Sequence, residues 1–274
     1  MKSITPLIIK TSVASVSLKS VSEKQLKAAL SALAKALEAN SAVLIRANKK
    51  DLAKQAPDNP RNDRLLLNEQ RIKNIADSIR TISKLPDPSG KLLQSRTLKN
   101  GLLLEKVTVP LGVVGAIYES RPNVTFDIAA LCIRSRNGCV LKGSSEADNT
   151  NKAAVALIKK ILKEHDIDPD CVTLLPAERE VVQELFTATR YVDVLIPRGS
   201  DSLIQYVRKN SQVPVIETGA GVCHVYVEKE AALKKALDIV VNAKVSRPSV
   251  CNAADTILVD AAVAPEFLKK LHPR

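Results

Sequence analysis

Tryptophan is absent from this chain of 274 residues, methionine occurs once, and the only aromatics are three phenylalanines and four tyrosines. A core built from such a sequence is aliphatic. No run of about 18 apolar residues occurs, so no transmembrane helix is expected. The opening MKSITPLIIKTSVASVSLKS lacks the sustained apolar segment of a secretory leader, and a cytoplasmic protein without membrane contact is expected. Five cysteines (Cys132, Cys139, Cys171, Cys223, Cys251) form no CxxC pair and have no HxxxH beside them. That pattern gives no metal site, and an odd count argues against a disulfide framework. Two phosphate-binding signatures are also missing. Gly219-Ala220-Gly221 is followed by Val-Cys-His rather than a third glycine, and Lys142-Gly143-Ser144 lacks the upstream glycine of a P-loop.

Charge is plentiful but unevenly placed. Residues 1–100 hold 19 Lys and Arg against 8 Asp and Glu, whereas the remaining 174 residues are nearly balanced. The basic segment has no interleaved aromatics and no nucleic-acid signature, so no nucleic-acid partner is expected. It reads as solvated surface able to attract a phosphorylated ligand.

The first hundred residues read as helices. Ser20–Glu23 has the form of a capping box, followed by an apolar stripe at Leu26, Ala29, Leu30, Leu33 and Leu37. Helix continues over 42–54, and a third helix carries Ile72, Ile75, Ala76, Ile79 and Ile82. Residues 97–110 read as a hairpin around Asn100-Gly101. From Val113 onward short β-rich runs alternate with amphipathic helices, the pattern of a mainly parallel sheet with flanking helices. The fold class is therefore α/β.

Ligands in open α/β sheets bind beyond the carboxyl ends of the strands. Those ends carry Arg121 and Asn123; Lys142, Gly143 and Ser144; Arg198, Gly199 and Ser200; and Glu217. Each group alone is ordinary turn chemistry; together they put cations, glycines and hydroxyls on one sheet edge.

Four stretches carry a resemblance: KVTVPLGVVGAIYESRPNVTFDIAALCIRSRNGCVLKGSSEA, VDVLIPRGSDSLIQYV, PVIETGAGVCHVYV and NAKVSRPSVCNAADTILVD. They resemble the gamma-glutamyl phosphate reductases, a family of the aldehyde dehydrogenase superfamily. The resemblance implies an aldehyde-dehydrogenase-like fold and NADPH-dependent reduction of L-glutamyl 5-phosphate to L-glutamate 5-semialdehyde and phosphate. It implies Cys251 as nucleophile, activated by a following helix N-terminus, and Asn123 as oxyanion donor. Lys142 is implied near the adenosine ribose or its phosphate, Gly143 and Ser144 as cofactor-binding residues beside it, and Gly199 and Ser200 near the cofactor pyrophosphate. Arg121 and Arg247 are candidates for the substrate phosphate, because a guanidinium matches phosphate bidentately.

The resemblance also implies an NADP-binding domain over 1–225 and the start of a catalytic domain over 226–274. Chains of the family continue further, so an incomplete catalytic domain is expected, completed within a homo-oligomer or by a partner chain. An inactive remnant that still binds NADP(H) is the alternative. Glu217 aligns with the general base of hydrolytic aldehyde dehydrogenases, which this reaction does not need, so a catalytic role and a merely cofactor-side or structural one both stay open. Cys223 and His224 are neighbours in a strand and point to opposite faces, so they read as a strand pair rather than a catalytic couple. Arg136 stands where the family has glycine, at a turn that needs positive φ; Gly138 replaces an alanine, Lys142 a frequent arginine and Ser144 a glycine.

Overall fold

The computed structural model describes residues 3–59, 62–178, 180–217, 221–246, 248 and 252–272. The chain divides into two compact units, residues 1–217 and 218–274, each treated by itself below.

The first unit opens with α1 (Thr5–Ser17), α2 (Glu23–Ala39), α3 (Ser41–Leu52), the one-turn α4 (Asn62–Leu65) and α5 (Glu69–Lys84). Helix α1 has no apolar stripe to announce it, since its buried positions after Ile8 are Thr11, Ala14 and Ser15. Ser22, not Ser20, caps α2. The chain leaves α1 through a run of tight turns that directs the Ser20 hydroxyl back to the Ser17 carbonyl. The extended residue is Ser22, whose Oγ accepts the Gln25 N–H. A hairpin follows, β1 (Leu92–Thr97) with β2 (Leu103–Val107), turning through Leu98–Gly101. It begins five residues earlier than the sequence reading placed it. Every residue of both strands is exposed.

Next comes a parallel sheet: β3 (Val113–Tyr118), α6 (Pro122–Arg134), β4 (Gly138–Lys142), α7 (Asp148–Glu164), β5 (Val172–Leu174), α8 (Val181–Phe186), β6 (Val194–Arg198) and α9 (Asp201–Asn210). The strand order is β5-β4-β3-β6. Residues 213–217, one of the short β-rich runs after Val113 and the one that ends at Glu217, contribute one bridge, Val215 to Leu195. Side chains alternate across β3. Val114, Ala116 and Tyr118 enter a core with α2, α5, α6 and α7. Val113 and Ile117 enter the opposite core with Ile4, Ile8, α8 and α9. Both faces are covered, as a parallel sheet requires.

Two features lock the helices to the sheet. Helix α6 ends in a Schellman motif: the Asn137 N–H reaches the Cys132 carbonyl and the Arg136 N–H the Ile133 carbonyl. Arg136 occupies the left-handed position at φ 61°, where glycine is the usual residue. Its guanidinium offsets the strain by binding Asp87 and the Leu18 and Val21 carbonyls, which ties the end of α6 to the α1–α2 turn. At the other end, the fully buried Asp51 of α3 caps α7. Its carboxylate accepts from the Asn149 N–H and Nδ2 and from the Thr150 N–H and Oγ1, at 2.7–3.1 Å.

The second unit holds β7 (Cys223–Val227), α10 (Leu233–Val245), β8 (Ala254–Val259) and α11 (Ala264–Leu271). The two strands pair in parallel, and the core is Val227, Leu237, Val240 and Phe267. The boundary thus falls at 217/218 rather than 225/226, because β7 pairs with β8 and a cut at 225 would split that strand. Among the described residues no single helix is long and apolar enough to cross a membrane.

Asp51→Ala leaves four donors at the start of α7 without their acceptor, in a site closed to water. We expect a loss of about 3 kcal/mol in urea unfolding, with Asp51→Asn falling between it and the wild type. A second expectation concerns pH. Burial raises the Glu184 carboxyl, but hydrogen bonds from the Ser3 and Thr5 hydroxyls and the Ile4 and Thr5 amides outweigh it and hold the group down at about 2. A depressed carboxylate contributes stability above its unfolded value near 4.5 and loses it as pH falls toward 2. Urea midpoints measured across that window should drop more steeply for the wild type than for Glu184→Gln.

Candidate active site

In the order β5-β4-β3-β6 the chain runs from β3 through β4 to β5 and then crosses to β6 on the far side of β3, so the β3–β6 boundary is a topological switch point, the place where open α/β sheets bind ligands. β3 delivers Glu119, Ser120 and Arg121, and β6 delivers Arg198, Gly199 and Ser200; the Glu119 N–H reaches the Arg198 carbonyl at 3.2 Å. The Glu119 carboxylate lies across this gap, where Oε1 accepts the Ser200 N–H at 2.9 Å and the Ser200 hydroxyl at 2.6 Å. Ser200 is the N-cap of α9; its side chain makes no capping bond, and its hydroxyl points to Glu119. Gly199 is required here: a Cβ would sit 2.7 Å from the Glu119 carboxyl carbon and 2.8 Å from Leu203.

At the end of β4 the buried Lys142 ammonium donates to the Gly143 and Ala177 carbonyls at 2.9 and 3.0 Å. Backbone acceptors therefore hold the cation at the strand end. Gly143 has no room for a side chain, since a Cβ would lie 2.3 Å from Asn151 Nδ2. Asn151 belongs to a buried chain in which Tyr118 Oη meets Thr125 Oγ1 at 2.7 Å and Thr125 Oγ1 donates to Asn151 Oδ1 at 2.8 Å. Burial pushes the Tyr118 phenol up, so it stays a neutral hydrogen-bonding group. Ser144 Oγ lies 2.8 Å from Ser120 Oγ, and Ser120 also donates to Glu146, which joins the ends of β3 and β4.

Helix α6 starts at Pro122 with no side-chain cap. Asn123, in its first turn, is exposed and donates to Asp127 at 3.1 Å; burial raises the Asp127 carboxyl. Glu217 pairs with Arg208 through one oxygen at 3.4 Å, while its other oxygen is buried and has no partner among the described residues.

The sheet edge thus gathers Arg121, Asn123, Lys142, Gly143, Ser144, Gly199 and Ser200, and hydrogen bonds join the strand ends at Ser120–Ser144 and Glu119–Ser200. Cys251 and Arg247 lie outside the described residues. Helix α10 ends at Val245 and β8 begins at Ala254, so the segment after Cys251 enters a strand. The expected helix directly behind the cysteine is not there. Glu119 and Ser120 were missed in the sequence; their position at a strand end, beside the residues that were chosen, was the available signal. No group of three or more metal-ligating side chains is assembled among the described residues.

The aldehyde dehydrogenase family model matches residues 7–274. A gamma-glutamyl phosphate reductase from Chlorobium phaeobacteroides is 50% identical over 239 residues, which are 87% of this chain and 57% of that one; the chain therefore spans little more than half of that relative. The crystal structure of gamma-glutamyl phosphate reductase from Thermotoga maritima superposes with a TM-score of 0.90 at 36% identity, covering 99% of this chain and 67% of that one. At the level of fold alone, a glyceraldehyde-3-phosphate dehydrogenase from Methanocaldococcus jannaschii complexed with NADP matches with a TM-score of 0.71 at 18% identity, covering 99% of this chain and 59% of that one. Matched by the family model over nearly all of its length and sharing its fold with these enzymes, the chain belongs to the aldehyde dehydrogenase family.

Proposed function

We propose that this chain carries the cofactor-binding part and the nucleophile of an NADPH-dependent acyl-phosphate reductase whose substrate is L-glutamyl 5-phosphate, serving proline biosynthesis. The observation that carries the cofactor half is the Gly199–Ser200 turn at the switch point between β3 and β6, where the Ser200 N–H and hydroxyl, bound to Glu119, stand at the N-terminus of α9. Such a terminus suits a phosphate because its amides are unpaired and its dipole favours negative charge. Lys142, Gly143 and Ser144 line the neighbouring strand end and take the ribose side of the cofactor. The relatives named gamma-glutamyl phosphate reductase support the choice of substrate.

The Cys251 thiolate attacks the acyl carbon of the substrate. The carbon–oxygen bond to phosphate breaks, and inorganic phosphate leaves with the bonding pair, so a thioester remains on Cys251. When bound, NADPH supplies the hydride that reduces this thioester to the aldehyde, with return of the thiolate. Asn123 donates to the developing oxyanion, and the Arg121 and Arg247 guanidiniums hold the departing phosphate. Phosphate is the leaving group and no water attacks, so Glu217 has no base to play and stays with Arg208.

The test is the reverse reaction: NADP+ reduction with L-glutamate 5-semialdehyde, with and without inorganic phosphate, for the full chain and Cys251→Ala. Phosphate-dependent turnover is expected for the wild type and none above background for the variant, with NADP+ affinity by calorimetry unchanged. Turnover that survives Cys251→Ala would remove the cysteine from the reaction; an inability of both proteins to bind NADP+ would remove the cofactor.

A further inference from the structure

Asp127 is the one acidic residue of α6, and it is placed unlike a surface carboxylate. It is half-buried, and among the described residues no cation pairs with it. Its oxygens accept two neutral donors instead: the Asn123 amide at Oδ2, 3.1 Å away, and the Ser78 hydroxyl of α5 at Oδ1, 3.3 Å away. Burial pushes the carboxyl up despite both bonds, so holding a charge here costs free energy. What the charge does in return is orient its donors.

We infer that Asp127 is a positioning residue for Asn123: it fixes the carboxamide so that the nitrogen, and not the carbonyl oxygen, is the end committed at the start of α6. The inference deepens the proposal above, in which Asn123 donates to the oxyanion, and rests on it for the effect on turnover. A carboxamide has two ends of nearly equal size, one a donor and one an acceptor. Asn123 is exposed, so packing alone does not choose between them. An ionised carboxylate one helical turn away does choose, because it can only accept and it repels the carbonyl oxygen. The amide nitrogen carries two hydrogens; Asp127 takes one, and the second stays available to an oxyanion. In the reversed orientation a carbonyl would face the developing negative charge, and stabilisation would turn into repulsion. The parts around the amide are fixed as well. Ser78 holds the carboxylate from α5, and the buried Thr125 anchors the first turn of α6 between Tyr118 and Asn151.

The test uses the full chain and four variants, Asp127→Leu, Asp127→Asn, Asn123→Ala and the double variant Asn123→Ala/Asp127→Leu, after thermal unfolding shows that each is folded. Leu matches the size of Asp without an acceptor, whereas Asn can still turn an oxygen toward Asn123. The first readout is NMR relaxation of the Asn123 side-chain amide, identified as the signal that disappears in Asn123→Ala. An ordered amide is expected in the wild type and in Asp127→Asn, with an order parameter below about 0.6 in Asp127→Leu. Equal order in the wild type and Asp127→Leu overturns the inference. The second readout is the phosphate-dependent reverse reaction. Asp127→Leu should lower kcat about tenfold with KM unchanged, Asp127→Asn should restore most of the rate, and the double variant should be no slower than Asn123→Ala. A loss that persists in full on the Asn123→Ala background, or that appears in KM, marks a merely structural role and overturns the inference. The two ideas fail differently. If Asn123→Ala is slow and Asp127→Leu is not, the oxyanion assignment stands and the role of Asp127 falls. If Asn123→Ala matches the wild type, or no protein turns over, the failure lies with the proposed reaction, and the order parameter alone decides whether Asp127 fixes the amide.

Discussion

A parallel sheet cannot leave a face to water, because the crossovers that connect its strands are themselves amphipathic and must pack on it. In this chain that requirement falls on the two inner strands, β4 and β3, and β3 shows it most fully. Its even-numbered side chains call for α6 and α7, and those in turn bury their outer faces under α2 and α5. Its odd-numbered side chains Val113 and Ile117 call for cover on the other side, which α8 and α9 share with the very start of the chain, Ile4 and Ile8. The terminal helix is therefore part of the sheet's cover, and Glu184 of α8 caps it where it lands.

The carboxyl edge of the sheet has an electrostatic logic of its own. Every helix that starts there points unpaired amides and a partial positive charge toward the same strip of surface. One start is sealed permanently by Asp51 and one is held by Glu119, while α6 starts at Pro122 without a side-chain cap. The glycines there follow from the same crowding: Gly143 yields to Asn151 and Gly199 to Glu119.

Much of this was legible in the sequence, and the reasons for the failures are physical. The alternation of strands and helices from Val113 onward was plain, because parallel strands and amphipathic helices each leave a periodic apolar trace. Helix α1 was invisible, since a helix wedged against a sheet can bury threonine, alanine and serine. The cap at Ser22 was misplaced by two residues because turn geometry, not residue type, chose between two serines. The strand expected at 213–217 shrank to a single bridge at Val215, as its apolar side chains satisfied the pattern but only one residue reached the edge of β6. The unusual Arg136 was read correctly as a residue in a glycine position; what no local pattern held was its compensation, since Asp87 lies 49 residues away and the two carbonyls more than 100. Glu119 was passed over because a glutamate at a strand end is common, and its meaning depends on β6, which joins β3 only in three dimensions.

The hairpin of β1 and β2 bears on how copies of the chain behave toward one another. Its leucines at 92, 93, 103 and 104 are 47–62% exposed, and a ribbon of two strands has open hydrogen-bonding edges as well. Against such pairing acts the common charge of +12, a long-range repulsion that dissolved ions weaken as the screening length shrinks toward about 8 Å near physiological salt. Ionic strength therefore weakens the repulsive field while leaving the short apolar strip on its open ribbon unchanged.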